Sequence, residues 1–202
     1  MHESNKYPTS ESETESQAPA FHFVCTLEQA VRFIDLQDQF WVSNCGCREK
    51  NRSRECLQLD VCLFFKPDMG GTGSGFKKVN RDYAQSIMKE AKKNHLVPRP
   101  FRDDNNPDQI QGICFCCQDC CSYFQEKNEI CDKGEFIEHT NHVACIACGT
   151  CADVCYFGAR KIKDGELQID DSLCFGCGLC AEVCPMHCIT MINRTARPPA
   201  QP

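Results

Sequence analysis

Eight cysteines toward the C-terminal end stand at spacings that suit metal ligation. Cys145, Cys148, Cys151 and Cys155 read C-x2-C-x2-C-x3-C, and Cys174, Cys177, Cys180 and Cys184 repeat that pattern 29 residues later. The surrounding sequence repeats with them: CGTCADVC, ending at Cys155, aligns with CGLCAEVC, ending at Cys184, which marks an internal duplication. Three thiolates two residues apart wrap a tight loop around one face of an iron–sulfur cubane, while backbone amides turn toward its sulfides. The last cysteine of each motif points into the following turn, so the fourth thiolate of each cubane must come from elsewhere. Zinc sites and disulfide knots do not call for this duplicated spacing.

These motifs make residues 134–193 resemble the bacterial double-cluster 2[4Fe–4S] ferredoxins. In that family the fourth cysteine of each motif ligates the other cluster. The resemblance thus implies one [4Fe–4S] cluster on Cys145, Cys148, Cys151 and Cys184, and a second on Cys174, Cys177, Cys180 and Cys155. It also implies a pseudo-twofold βαββαβ-like module. Two positions depart from internal symmetry. Pro185 follows the second motif as the family pattern expects, but Tyr156 follows the first; Cys188 stands where the first repeat has Ala159. Cys188 reads as a small buried residue, with a ligand or reactive thiol as the alternative.

Nine further cysteines precede this module. Cys45, Cys47, Cys56 and Cys62 form C-x-C-x8-C-x5-C, and Cys114, Cys116, Cys117, Cys120 and Cys121 fill ICFCCQDCC, where Cys114, Cys117 and Cys120 again show the cluster-loop spacing. They have enough thiolates for one or two more [4Fe–4S] clusters, with zinc or free thiols as alternatives. Neighbouring side chains diverge, so pairs such as Cys116 and Cys117 are not expected to serve one iron. Residues 40–125 resemble the cysteine-rich region that precedes ferredoxin modules in iron–sulfur proteins of anaerobic bacteria and archaea. Cys25 and Cys131 stand alone and read as buried small residues. Arg48, Lys50, Arg52 and Arg54 crowd the loop between Cys47 and Cys56, either to offset cluster charge or as an ordinary solvated loop.

The elements that must position these thiols are short. Thr26 and Gln29 make a capping box for an amphipathic helix through Leu27, Ala30, Val31 and Ile34, ending near Phe40. Asn80 caps a second helix that carries Tyr83, Ile87, Met88 and Ala91 on one side and closes at Asn94. The alternation Leu57, Leu59, Val61, Leu63, Phe65 suggests a strand. In the module, Gly165 turns a hairpin between 159–162 and 167–169, and 135–139 is expected to pair with 189–192. The glycine run at 70–75 lacks the Lys-Ser/Thr of a phosphate loop and reads as a turn. The fold expected is α+β, a ferredoxin-like module at 132–193 preceded by a mainly helical cysteine-rich region at 21–131, with polar segments 1–20 and 194–202 disordered.

Composition bounds the function. The 202 residues carry 20 cysteines and no apolar stretch that would insert in a membrane or lead the chain out of the cell, so a cytoplasmic, metal-loaded protein is expected. The net charge of −6 is divided: 41–102 carry +7 and 103–193 carry −10. That balance disfavours nucleic acid, and the two parts are expected to pack on or near each other. No nucleophile–base array or nucleotide loop stands out. The reading is an electron-transfer protein or subunit of an oxidoreductase in an anaerobe, serving a flavoprotein, corrinoid or metalloenzyme partner. The alternatives are a reductase with a substrate-binding cluster in the N-terminal region, or a metal-trafficking or redox-sensing protein.

Overall fold

A computed structural model describes residues 18–51, 58–67, 73–126 and 129–197. The N-terminal region runs β1 (His22–Phe23), α1 (Leu27–Asp35), β2 (Phe40–Ser43), α2 (Gly46–Lys50), β3 (Cys62–Phe64), β4 (Lys77–Val79), α3 (Arg81–Lys93), β5 (Val97–Arg102), β6 (Ile110–Cys116), α4 (Ser122–Glu126) and β7 (Cys131–Asp132). Seven of these are strands of one sheet, ordered β4-β2-β3-β6-β5-β1-β7, with every pairing antiparallel except β1 with β7. The region is therefore built on a sheet and is not mainly helical. The strand expected through 57–65 is present as β3, whereas β6 was concealed by the cysteines that occupy its positions.

The two expected helices form and cover one face of the sheet. Thr26 and Gln29 close the capping box, but α1 stops at Asp35, and Phe40 opens a strand. Asn80 caps α3 by accepting from the Tyr83 amide. Ala30 and Ile34 of α1, and Ala84, Ile87 and Ala91 of α3, pack with Val42, Leu63, Phe65, Ile113 and Phe115 in one core. Because strand side chains alternate, the residues between these apolar ones turn to the opposite face. On that face stand Cys62 and Phe64 of β3, Cys114 of β6 and Phe101 of β5.

The C-terminal module consists of β8 (Phe136–Thr140), α5 (Thr150–Asp153), β9 (Arg160–Lys163), β10 (Glu166–Ile169), α6 (Leu179–Glu182) and β11 (Ile189–Asn193). β9 and β10 form the hairpin expected at Gly165, and β8 pairs antiparallel with β11, with Ile189 opposite Thr140. Backbone conformation repeats at the 29-residue offset. Gly149 and Gly178, which precede α5 and α6, have φ of 86° and 78°, and Ala147 and Gly176 have 51° and 82°. A side chain at Gly176 would strike the Phe136 carbonyl, so this second turn requires glycine where the first accepts alanine.

The basic and acidic parts pack together. Lys92 of α3 pairs with Glu182 of α6 at 2.6 Å, and Gln29 of α1 donates to Glu135 at 3.1 Å. Among the described residues no helix is long and apolar enough to cross a membrane.

Candidate metal centres

Two cavities in the C-terminal module are each lined by four of the motif cysteines. The first, about 320 Å³, is lined by Cys145, Cys148, Cys151 and Cys184, together with Cys188. The second, about 340 Å³, is lined by Cys174, Cys177, Cys180 and Cys155. Each cavity thus takes three cysteines from one motif and the last cysteine of the other. Among the described residues no three His, Cys, Asp or Glu side chains are placed to hold a single metal ion. The donors enclose a space instead of converging on a point, which suits a polynuclear cluster.

The two cavities differ in surroundings. Cys148 is exposed, and its thiol is lowered by its hydrogen bond with Thr150. Ile146 and Met186, which line the first cavity, are also exposed. The second cavity lies against the N-terminal region. Burial pushes Cys177 up to about 12 and also raises Cys155 and Cys180.

One pair of charged residues was not legible in advance. Glu138 on β8 and Arg160 on β9 are buried and joined at 2.7 Å, and the Glu138 carboxylate also accepts from Thr140 at 2.6 Å. Arg160 reaches Cys151 by a side-chain hydrogen bond and lies in the field of Cys180, so one guanidinium faces cysteines of both motifs. Position 160 read only as part of a hairpin strand.

The nine upstream cysteines separate sharply. Cys62 and Cys114 face each other across β3 and β6, since Leu63 pairs with Ile113, and Arg99 of β5 pairs with Cys114 on the other side. Cys45 caps α2 and Cys47 lies in its first turn. Sulfur contacts run from Cys114 to Cys62, Cys45, Cys47, Cys121 and Cys116 in succession. Arg99 donates to Cys116 and Cys121, each at 3.8 Å. His22 contacts Cys114 and Glu129; against the cost of burial, these hydrogen bonds raise the imidazole to about 9. Cys114 is lowered to about 5, first by its hydrogen bond with Cys62 and then, against burial, by His22.

Cys117 and Cys120 do not join this group. They turn into the core beneath α1 and α3 and form a disulfide, so the third cluster-loop spacing, Cys114-Cys117-Cys120, does not act as a loop. The cause is that Cys114 and Cys116 lie in strand β6, where spacing of two and not three keeps side chains together. Cys56, with Arg52 and Arg54, lies outside the described residues. Arg48 is not solvated: its buried guanidinium donates to the carbonyls of Gln58 and Phe115, bracing α2 against β6, while its backbone amide bonds the Cys45 sulfur. Of the glycine run, Gly73 abuts the Asn44 backbone, and the Asn44 amide donates to the Ser74 carbonyl at 2.8 Å. Cys25 is fully buried and Cys131 half-buried beside Arg99.

Residues 144–188 match a family model described as a 4Fe-4S dicluster domain. A comparison with curated proteins finds no match. The chain contains an iron–sulfur module of the kind that binds 4Fe–4S clusters, and its general role is electron transfer.

Proposed function

We propose that this protein relays single electrons between redox partners through two [4Fe–4S] clusters, held crosswise by Cys145, Cys148, Cys151 and Cys184 and by Cys174, Cys177, Cys180 and Cys155. The observation that carries this reading is the exchange of the fourth cysteine between the two cavities. The repeated backbone at the 29-residue offset supports a pseudo-twofold ferredoxin arrangement. A cubane spreads an added electron over four irons with little change of geometry, and two in one small module make a relay. The chain supplies the ligands, the buried surroundings and the Arg160 charge.

The exposed apolar residues at the first cavity make it the end that meets an external partner, a flavoprotein, corrinoid protein or metalloenzyme. The second cavity faces the N-terminal thiols, which extend the relay inward. Cys155→Ala tests the arrangement. It is expected to remove the cluster held by the second motif while the first survives, seen as a halved [4Fe–4S] signal and about four fewer irons. Loss of the first cluster instead, or of neither, refutes the crossed ligation.

A second reading, a reductase acting on a small aromatic substrate, has one observation in its favour. A cavity of about 600 Å³ is lined by Tyr123, Phe124, Glu129, Tyr156, Phe157 and Phe175, next to both the thiol face and the second cluster site. Turnover of a planar quinone by the reduced protein without any partner would favour it.

A further inference from the structure

The thiol-bearing face of the N-terminal sheet has a built shell around it. Cys62, Cys116 and Cys121 are buried, and the remaining members, Cys45, Cys47 and Cys114, are half-buried. Three separate segments bring them together: the β2–α2 junction, strand β3, and strand β6 with the turn that leads from it into α4. Bare thiols gain little from such gathering. Their mutual contacts are weak, and ionising more than one is opposed by repulsion and burial.

A cation stands where thiolate charge would need one. Arg99 is 2% exposed, donates to two of the sulfurs, pairs with Glu129 at 2.7 Å and lies beside the Cys131 thiol, while its Nε is buried and meets no acceptor in hydrogen-bond geometry among the described residues. Such a donor is costly unless an acceptor meets it. His22, held by Glu129, contacts the Cys114 sulfur. Donors of this kind around a thiolate set are the outer shell that orients ligands and tunes an iron–sulfur centre.

We propose that Cys45, Cys47, Cys62, Cys114, Cys116 and Cys121 form one additional iron–sulfur cluster site, with the Arg99 guanidinium as its charge-compensating neighbour and His22 as a hydrogen-bonding one. The class of centre rests on the electron-transfer reading above. A four-iron cluster takes four thiolates, so four of these six would ligate it and two would stand beside it, as Cys188 does beside the first cavity. Their contacts form one continuous group, which argues for one site and not two. Cys117 and Cys120 are excluded because they face the core and are joined to each other.

The site also has a packed route to the second cluster cavity. Ser122 Oγ is 3.2 Å from Cys47 Sγ, and the next residue, Tyr123, lies under the Arg99 guanidinium at 3.9 Å. Tyr123 packs on Phe157, which stacks on Phe175 with ring centroids 4.4 Å apart. Phe157 and Phe175 are walls of the second cavity. Tyr156 and Phe157, where the second repeat has Pro185 and Met186, are thus the side of the module that meets the N-terminal region.

The test uses the full chain loaded anaerobically, with iron, zinc and acid-labile sulfide measured beside EPR of the reduced protein. The intact protein is expected to bind ~12 iron, and Cys62→Ser with Cys114→Ser ~8, the two ferredoxin signals remaining as an internal check of folding. If that variant loses all signals, Arg99→Gln decides: it is expected to keep the iron and shift the spectrum of a third cluster alone. An unchanged spectrum overturns the proposal. So does an intact protein with ~8 iron, with or without zinc, although it leaves the two-cluster relay standing. Absence of the ferredoxin signals themselves would instead overturn the relay.

Discussion

Replacing Arg160 with Met tests whether the buried guanidinium tunes the clusters or only staples β8 to β9. Arg160 faces cysteines of both cavities and is paired with Glu138 at 2.7 Å. Taking ~6 Å from the guanidinium to a cluster centre and an effective dielectric of ~20, its attraction for an added electron is about 2.8 kcal/mol. Glu138, at ~8 Å, opposes it by about 2 kcal/mol. If Glu138 stays ionised in Arg160→Met, the full attraction is lost, and at ~59 mV per 1.4 kcal/mol the potential falls by about 120 mV. If the carboxyl, left with Arg197 at 3.6 Å, instead takes up a proton, both effects vanish and the fall is only about 30 mV. The direction is downward either way. Removing one member of a buried pair also costs about 3–5 kcal/mol of stability, which Arg160→Met with Glu138→Leu should largely restore. EPR-monitored redox titration of both variants reads the potentials directly. Potentials that stay unchanged or rise in Arg160→Met would show that the guanidinium does not act on the clusters.

Three other outcomes are expected. Cys188 Sγ lies 3.4 Å from Cys184 Sγ in the first cavity, so Cys184→Ala should retain a four-iron cluster by using Cys188, and Cys184→Ala with Cys188→Ala should lose it; iron analysis and EPR distinguish them, and loss in the single variant makes Cys188 a packing residue. Ile87 is fully buried between α3 and the sheet, and Ile87→Ala should cost about 2–5 kcal/mol in denaturant unfolding followed by circular dichroism; a smaller loss would mean that the α3 face is loosely packed. Reduction of a cationic acceptor protein should slow between ~0.01 and ~0.15 M salt, as the screening length shrinks from ~30 to ~8 Å, because residues 103–193 carry −10; a salt-independent rate removes electrostatic steering.

How much was legible in the sequence depended on whether function lay along the chain or across it. The hairpin at Gly165 is local and forms at its turn, and the duplicated motifs, also local, supply the cysteines that line two cavities. Both long helices announced themselves through capping residues and apolar spacing. Of the N-terminal sheet only β3 announced itself, inside the alternation from Leu57 to Phe65; cysteines on the face of β6 opposite the core make Ile110–Cys116 look like a ligand loop. Spacing of three along ICFCCQDCC suggested Cys114, Cys117 and Cys120 together, whereas the strand's period of two selects Cys114 and Cys116. The divergence expected of adjacent cysteines does appear: Cys116 and Cys121 face Arg99, and Cys117 and Cys120 face the core. Arg99, His22, Arg160 and Glu138 gain their meaning only from cross-strand neighbours far away in sequence, which no local pattern carries.

The account is tested most directly by counting metal and sulfide in the anaerobically purified chain. It predicts ~12 iron with as much acid-labile sulfide, ~8 of each belonging to the crossed sites of the C-terminal module. A chain that binds zinc without sulfide, or fewer than ~8 irons after full reconstitution, would contradict the two-cluster relay itself.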